Sequence, residues 1–359
     1  MADSLEKFVE TVSGTSHLRV EHDFGDGYVR LQTSEAERRQ AAQDIRCSED
    51  IVLEMLRNSR DAHASHVFVA VSREGDKRRI TVIDDGCGIP EAMHGLVFEP
   101  RVTSKLDTSH MDAWGLHGRG MALFSIAENA EKAYVVDSAP ELGCSIHVET
   151  NTSKLSEKTD QSTFPTFELS EGNEVKIRGP KNILRTICEF AIESRSQCSV
   201  FVGSQAEVVS TLYAYGVATL PVIDRLFGHD EASIPLAKRL ALSGDPASLS
   251  EGAARIGLEI SERTARRILD GEIDDLDPVL NQITLNTAKK GPQSKKAKNA
   301  LADARGFKLM PQDAEMLADS VQGAYQDLAE RYYLAPNVKP FVKARRDRIT
   351  LTIPIVRRP

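Results

Sequence analysis

The segment RITVIDDGCGIP, residues 79–90, joins an apolar β-strand pattern to a turn rich in glycine. A strand that ends in Asp-x-Gly-x-Gly can turn sharply, because Gly86 and Gly88 can adopt positive φ without strain and let another group approach the backbone closely. Asp84 is then a fixed hydrogen-bond acceptor at the end of a strand, which suits an exocyclic amine. Taken alone, the segment is more typical of an ordinary hairpin or loop turn.

A polar stripe on the preceding helix supplies the second motif, EMLRNSRDA at residues 54–62. At about 100° per residue, Glu54, Asn58 and Asp61 project together, opposite a face that includes Ser59. Such a set suits a triphosphate, because an amide or carboxylate oxygen can ligate Mg²⁺ and a carboxylate can deprotonate a water. Most stripes of this composition are solvated helix surface, so the spacing alone is a weak signal.

The third motif, GLHGRGMAL at residues 115–123, opens a helix. Its glycines expose backbone N–H groups at the helix N-terminus, where phosphate binds readily. The motif lacks the strand spacing of a dinucleotide fingerprint and the Lys-Ser/Thr of a P-loop. By itself it therefore does not identify a nucleotide site.

Together, the order and spacing of the three motifs resemble the GHKL superfamily, the Bergerat-fold ATPases that include type II topoisomerases, MutL proteins, heat-shock chaperones and histidine kinases. The resemblance covers about residues 34–180. The motif sequences NSRDA, DDGCGIP and TSK resemble those of MutL proteins and the topoisomerase VI B subunit more than those of histidine kinases. No kinase-type H-box is visible. The resemblance implies a site for ATP with Mg²⁺.

The resemblance also implies a role for each matching residue. Glu54 would be the general base for water attack, and Asn58 would ligate the Mg²⁺ that bridges the phosphates. Asp84 would accept a hydrogen bond from the adenine amine, and Gly88 would give room for the ring. Two neighbours in the same loop would also bind the nucleotide: Gly86 and Ile89.

The lid and the glycine box complete the implied site. FEPRVTSK, residues 98–105, resembles the start of the ATP lid and places Lys105 near the phosphates. Gly118 and Gly120 of the glycine box, with Arg119 between them, would bind the β- and γ-phosphates, and Gly115 of the same box would also bind the nucleotide. Arg119 departs from MutL proteins, in which this position is usually acidic. The late-strand Gly-Thr pair of the family is represented only by GNEVKI at residues 172–177.

The predicted fold class is α+β, with a Bergerat-type α/β sandwich that binds ATP, a mainly helical region and a short C-terminal strand. The predicted domains are residues 1–222 for the ATP-binding domain with its α/β extension, residues 223–335 for the helical domain, and residues 336–359 for a basic tail. From about residue 223 the pattern predicts helices only, until the final strand. The helical domain resembles the helix–two-turns–helix insert of topoisomerase VI B in size and position, although a plain helical bundle fits equally well.

Composition favours a globular protein of a reducing compartment. Apolar residues make up 41% of the 359 residues and charged residues 27%, and no run of about 18 apolar residues predicts a membrane span. The five cysteines form no C-x-x-C pair, so neither a zinc site nor a disulfide framework is expected. These features predict a cytoplasmic protein without a membrane partner.

Charge is distributed unevenly along the chain. The net charge is −8, yet residues 289–308 and residues 338–359 each carry seven basic residues and one acidic residue, a net charge of +6. Two basic segments on an acidic body indicate a polyanion partner such as DNA. A solvated loop and a solvated tail would give the same pattern.

The leading hypothesis is an ATPase with ATP-dependent homodimerisation that acts in DNA topology or repair. It would be a type IIB topoisomerase B-like subunit with a separate DNA-cleaving partner subunit, because the sequence shows no nuclease or tyrosine cleavage motif. One alternative is a chaperone-like or defence-associated GHKL ATPase that acts on proteins. The other is a nucleotide sensor that does not hydrolyse ATP, against which Glu54 argues, because a sensor has no need of a base.

Overall fold

The computed structural model describes residues 20–104, 110–112, 115–117, 120–169, 175–221, 231–283, 285–287, 311–332, 334–335, 338, 340–344 and 349–353. The chain divides into two compact units, Met1–Ala288 and Lys289–Pro359. The predicted domain boundary after residue 222 falls within the first unit, among residues that are not described. That boundary stays a prediction.

The first half of the first unit carries the sequence motifs. Its elements in chain order are strands β1 (Val20–Gly25) and β2 (Tyr28–Leu31), helices α1 (Glu35–Asp44) and α2 (Ser48–Asp61), strands β3 (His66–Glu74), β4 (Lys77–Asp84), β5 (Val102–Thr103), β6 (His110–Asp112) and β7 (Gly115–His117), helix α3 (Ala122–Asn129), and strands β8 (Lys132–Ser138) and β9 (Cys144–Asn151). Ser34 caps α1 in a reciprocal capping box with Glu37.

The second half adds helices and short strands. They are strands β10 (Thr166–Leu169) and β11 (Val175–Arg178), helix α4 (Ile183–Glu193), strand β12 (Ser199–Gly203), helices α5 (Gln205–Thr219), α6 (Pro246–Arg255), α7 (Glu262–Leu269) and α8 (Val279–Gln282), and strand β13 (Leu285–Thr287). Strand β13 pairs in parallel with β10. The prediction of helices alone beyond residue 223 is therefore wrong at β13.

The central sheet has the strand order β12-β3-β4-β9-β8. Strand β12 runs parallel to β3, and the other neighbours are antiparallel. Successive side chains of a strand point to opposite faces, so Val67 and Val69 of β3 join one buried cluster while Phe68 and Ala70 join another. Helices α2, α3 and α4 contribute to the first cluster, and helices α5 to α7 contribute to the second. This mixture of helices on a mixed sheet agrees with the predicted α+β class.

The second unit contains helix α9 (Pro311–Arg331) and an antiparallel hairpin of β14 (Phe341–Ala344) and β15 (Ile349–Thr352). Helix α9 begins at Pro311, and β15 is the short C-terminal strand that the sequence predicts, whereas β14 was not predicted. The basic segment at residues 289–308 lies outside the described residues. In the part of the chain that the structure describes, no helix combines the length and apolar character needed to cross a bilayer.

Candidate nucleotide-binding site

A cleft opens between α2, the end of β4 and the start of α3. Its empty volume is about 1050 Å³ with the open mouth included. Six residues that the sequence predicted line it: Glu54, Asn58, Asp84, Gly88, Ile89 and Gly120. All three motifs, which are far apart in the sequence, thus contribute to one cleft.

The remaining predicted site residues have different placements. Gly86 donates its backbone N–H to Asp84. Gly115 begins β7, which pairs with β6. Lys105, Gly118 and Arg119 lie outside the described residues. Their predicted contacts with phosphate stay predictions.

Helix α2 places its polar stripe on the wall of the cleft. Acidic residues in its first turn suit the positive end of the helix dipole, and apolar residues such as Ile51 and Leu56 are fully buried. Glu54, Asn58 and Asp61 line the cleft together. Ser59, which the helical period places on the opposite face, lines the cleft as well, because the cleft wall spans more of the helix than the polar stripe.

Asp84 is held rigidly at the end of β4. Its carboxylate is almost fully buried, with a relative exposure of 6% for the residue. The hydroxyl of Ser59 donates to Oδ2 at 2.7 Å, and the N–H of Gly86 donates to Oδ1 at 3.0 Å. An ionised carboxylate can accept about four hydrogen bonds, so Asp84 has the capacity to accept from a ligand amine in addition to these two donors.

The loop after Asp84 requires glycine at one position in particular. Gly88 has a φ of +70°, and a Cβ there would lie 2.0 Å from the carbonyl oxygen of Ala139. No side chain fits at that distance. The loop backbone therefore packs directly against residues 139–143, which fixes the rim of the cleft beside Asp84.

Arg101 connects the base of the lid to the glycine box. Its N–H donates to the carbonyl of Gly120 at 2.9 Å, and its own carbonyl accepts from the N–H of Leu31 at 3.0 Å. The φ of Arg101 is +57°, which is unusual for a residue with a side chain. Its guanidinium pairs with Glu37 of α1. The N-terminal elements β2 and α1 are thereby attached to the strand that adjoins Gly120.

Sequence reasoning missed several residues of the cleft. Tyr28 of β2 lines it, and burial raises the pKa of its phenol, although the hydroxyl of Ser104 opposes the rise. Cys87 and Cys144 also line it, and burial followed by the charge of Asp84 raises the pKa of the Cys144 thiol. Tyr28 reaches the cleft only through the pairing of β2 with β5, so no local pattern signals it.

Asn58 offers the clearest place for a metal-bound phosphate group. Its amide Nδ2 is buried and has no hydrogen-bond partner among the described residues. Because amide oxygen and nitrogen are assigned only from their partners, the same position can present the oxygen. A Mg²⁺ ion on phosphates usually takes only one or two protein oxygens. The described residues contain no cluster of three or more His, Cys, Asp or Glu that could hold a metal unaided.

The chain is similar to known ATPases over the residues that build this cleft. Residues 44–154 match the family of histidine kinase-, DNA gyrase B-, and HSP90-like ATPases. The DNA mismatch repair protein MutL of Staphylococcus aureus strains Newman, JH1 and COL is 33% identical to the chain over 123 residues. The aligned part is 33% of this chain and 18% of each MutL chain, so the chain matches less than a fifth of the length of these relatives.

The family match runs from the end of α1 through α2, β3, β4 and α3 to the end of β9. These elements supply the predicted cleft residues from Glu54 to Gly120. Residues 44–154 therefore form a domain of the GHKL ATPase type, the ATP-binding module of that superfamily.

Proposed function

We propose that the chain is a Mg²⁺-dependent ATPase that uses nucleotide-gated dimerisation to act in DNA topology or repair. The observation that carries the proposal is the joint placement of Asp84, Asn58 and Glu54 in one cleft. Asp84 is a buried acceptor for a base, and Glu54 and Asn58 lie on the helix wall of the same cleft. A site that only bound adenine would have no need of the last two.

The chain's residues divide the work of binding and hydrolysis. Asp84 accepts a hydrogen bond from the adenine amine, and the backbone at Gly88 leaves room for the ring. Asn58 would hold Mg²⁺ by its amide oxygen, and a bound ion would supply positive charge to neutralise the phosphates. Glu54 orients a water and takes its proton as the water oxygen attacks the γ-phosphorus. The bond from that phosphorus to the bridging oxygen then breaks, which releases ADP and phosphate.

The phosphate end of the site includes residues outside the described part of the chain. Lys105 of the lid and Gly118, Arg119 and Gly120 of the glycine box would donate to the β- and γ-phosphates, and Gly115 would begin that loop. Closure of the lid over ATP would create the surface on which two copies associate. Loss of the γ-phosphate would open it again.

Two observations support a role on DNA. The MutL proteins that match the chain are DNA mismatch repair proteins, and residues 289–308 and 338–359 are strongly basic. A DNA-cleaving partner subunit, as in a type IIB topoisomerase, belongs to this proposal. If the protein binds DNA at physiological salt and ATP strengthens that binding, the role on DNA is favoured over a GHKL ATPase that acts on proteins. Salt must be controlled, because phosphate contacts make the affinity for DNA depend steeply on salt.

The decisive experiment replaces Glu54. Glu54→Ala and Glu54→Gln are expected to bind ATP as tightly as the wild type but to hydrolyse it roughly 10²–10⁴-fold more slowly, the usual contribution of a general base. The glutamine variant keeps an acceptor for Arg57, which pairs with Glu54. Glu189→Gln, which changes a glutamate of α4 paired with Arg185, is the matched control and keeps the wild-type rate.

Oligomeric state gives the second readout. The Glu54 variants are expected to accumulate with ATP as a dimer, seen as a doubled mass in light scattering, whereas Asn58→Ala loses both Mg²⁺-dependent binding and turnover. Hydrolysis at the wild-type rate in both Glu54 variants would remove Glu54 as the base. A wild-type protein that binds ATP without ever hydrolysing it, with DNA and partner present, would instead favour the nucleotide sensor.

A further inference from the structure

We infer that Arg57 is a positioning residue for Glu54, which it holds ionised and oriented toward the cleft. The inference rests on the proposed function, in which Glu54 is the general base. Arg57 lies within the motif at residues 54–62. The resemblance to known ATPases assigns it no role. It acts through the glutamate and does not need to touch the nucleotide.

The contact is local and enclosed. Arg57 follows Glu54 by three residues on α2, a spacing that brings side chains together on one helix face. Its Nη1 donates to Oε1 of Glu54. The Arg57 side chain is 7% exposed and that of Glu54 is 21% exposed, and both residues line the cleft. Solvent and salt therefore screen this pair less than an ion pair on the surface.

Because the pair is enclosed, Arg57 affects the charge state and the orientation of Glu54. A guanidinium taken out of water is costly unless a carboxylate compensates it, so the protein gains from keeping Glu54 charged beside Arg57. The same positive charge favours the ionised form of the carboxylate. A general base must be deprotonated before the water arrives, and its oxygens must face that water. Arg57 supplies both conditions, at the expense of some basicity.

The other arginine of α2 has different contacts. Arg60 donates to Asp61 at 3.3 Å, and its guanidinium lies 5.7 Å from the ring centroid of Phe190. Of the two arginines of the helix, Arg57 is the one whose hydrogen bond reaches Glu54. An alternative for Arg57 is direct contact with the triphosphate. That role would appear as lost affinity for ATP relative to ADP.

The test compares Arg57→Gln and Arg57→Lys with the wild type. Arg57→Gln is expected to keep the Kd for ATP within about threefold, while kcat falls roughly 10- to 100-fold through loss of orientation. The acid limb of the kcat–pH profile is expected to move up by about one pH unit, because a neighbouring arginine normally lowers a carboxyl pKa by about one to three units. Arg57→Lys keeps the charge and restores the acid limb, with kcat a few-fold below the wild type because lysine lacks the guanidinium fork.

A matched control and an epistasis test complete the design. Arg185→Gln breaks a partly buried Arg–Glu pair on α4 and is expected to change neither kcat nor its pH profile. In a Glu54→Gln background, adding Arg57→Gln is expected to leave the residual rate within about twofold, because residues that act as a unit are not additive.

Several outcomes would overturn the inference. They are a wild-type kcat and pH profile in Arg57→Gln, a further loss of rate in the Glu54→Gln background, or a loss of ATP affinity that spares ADP. If Arg57→Gln does not fold, the kcat of Arg57→Lys tests the inference. A kcat of Arg57→Lys equal to that of the wild type would reject a positioning role. A wild type without hydrolysis, or an active Glu54→Gln, would reject the proposed function itself. An inactive Glu54→Gln beside a fully active Arg57→Gln would reject only the inference.

Discussion

Asp84→Asn tests the assignment of the base-binding residue. The substitution changes one oxygen to NH₂ and removes the charge, with almost no change in volume. A hydrogen bond to a charged group contributes about 1.5–3 kcal/mol, and each 1.4 kcal/mol is about tenfold in affinity. The Kd for ATP is therefore expected to rise roughly 10- to 150-fold.

The fold is expected to survive this change. In the wild type, Oδ1 accepts from Gly86 N–H and Oδ2 accepts from the Ser59 hydroxyl. The asparagine oxygen can keep the bond from Gly86, and the Ser59 hydroxyl can rotate to accept from the new NH₂ group. Both internal hydrogen bonds then remain, so a normal melting temperature should accompany weak binding.

Calorimetry with ATP is the assay, and Asp85→Asn is the matched control. Asp85 is the next residue, but its carboxylate accepts from the backbone N–H groups of Ser65 and His66, both at 2.7 Å, and does not line the cleft. Asp85→Asn is expected to lower stability and to leave ATP affinity within about threefold of the wild type, because the charge lost is not the one that binds the base. Equal ATP affinity in Asp84→Asn and the wild type would refute the assignment of Asp84.

Two further predictions concern the glycine turn and the base of the lid. Gly88→Ala should lower the free energy of unfolding by at least about 1 kcal/mol more than Gly75→Ala, because both glycines have positive φ but only Gly88 faces a carbonyl at 2.0 Å; equal losses in denaturant melts would contradict the close approach. Arg101→Gly removes the guanidinium and introduces a residue that tolerates the φ of +57°. Glu37→Gln removes the partner charge, and glutamine can still form the capping box. Both changes are expected to weaken ATP binding several-fold and to spare adenosine, measured by calorimetry, because Arg101 adjoins Gly120 and not Asp84. An equal loss for both ligands would mean that the Arg101–Glu37 pair supports the whole cleft and not its phosphate end.

Periodicity was enough to predict the parts of the site that depend on one element. The helical period brought Glu54 and Asn58 together, and the strand-to-glycine pattern placed Asp84 at the end of β4. Ser59 was placed on the wrong side because the period gives directions around a helix axis but not the width of the surface that faces the cleft. Tyr28 and Arg101 depend on contacts of β2 with β5 and with Arg101, which join residues about 70 positions apart. Arg101 also contacts Gly120, 19 positions away, and no local pattern signals any of these contacts.

The region beyond residue 223 shows that local sequence patterns can miss a short strand and do not indicate which elements pack together. Strand β13 has only three residues, too few for an alternation to be recognised. Helices α6 and α7 lie in the region beyond residue 223, for which the sequence predicts helices. Their periodicity could not indicate what their apolar faces cover. That surface is the central sheet, whose strand residues Phe68 and Ile83 share a buried cluster with Leu249 and Ala265.

Hydrogen bonds also join these helices to the central sheet. The hydroxyl of Thr81 on β4 donates to the carbonyl of Gly257, and the hydroxyl of Ser145 on β9 donates to the carbonyl of Ile256. Both carbonyls lie in the turn between α6 and α7, so the turn is fixed to the two strands that meet at Asp84 and Cys144. Removal of these helices would expose the apolar second face of the sheet and remove the acceptor carbonyls of both hydroxyls, of which Thr81 would keep its contact with His147. The strands that support the cleft therefore depend on the helices behind them, although no residue of those helices lines it.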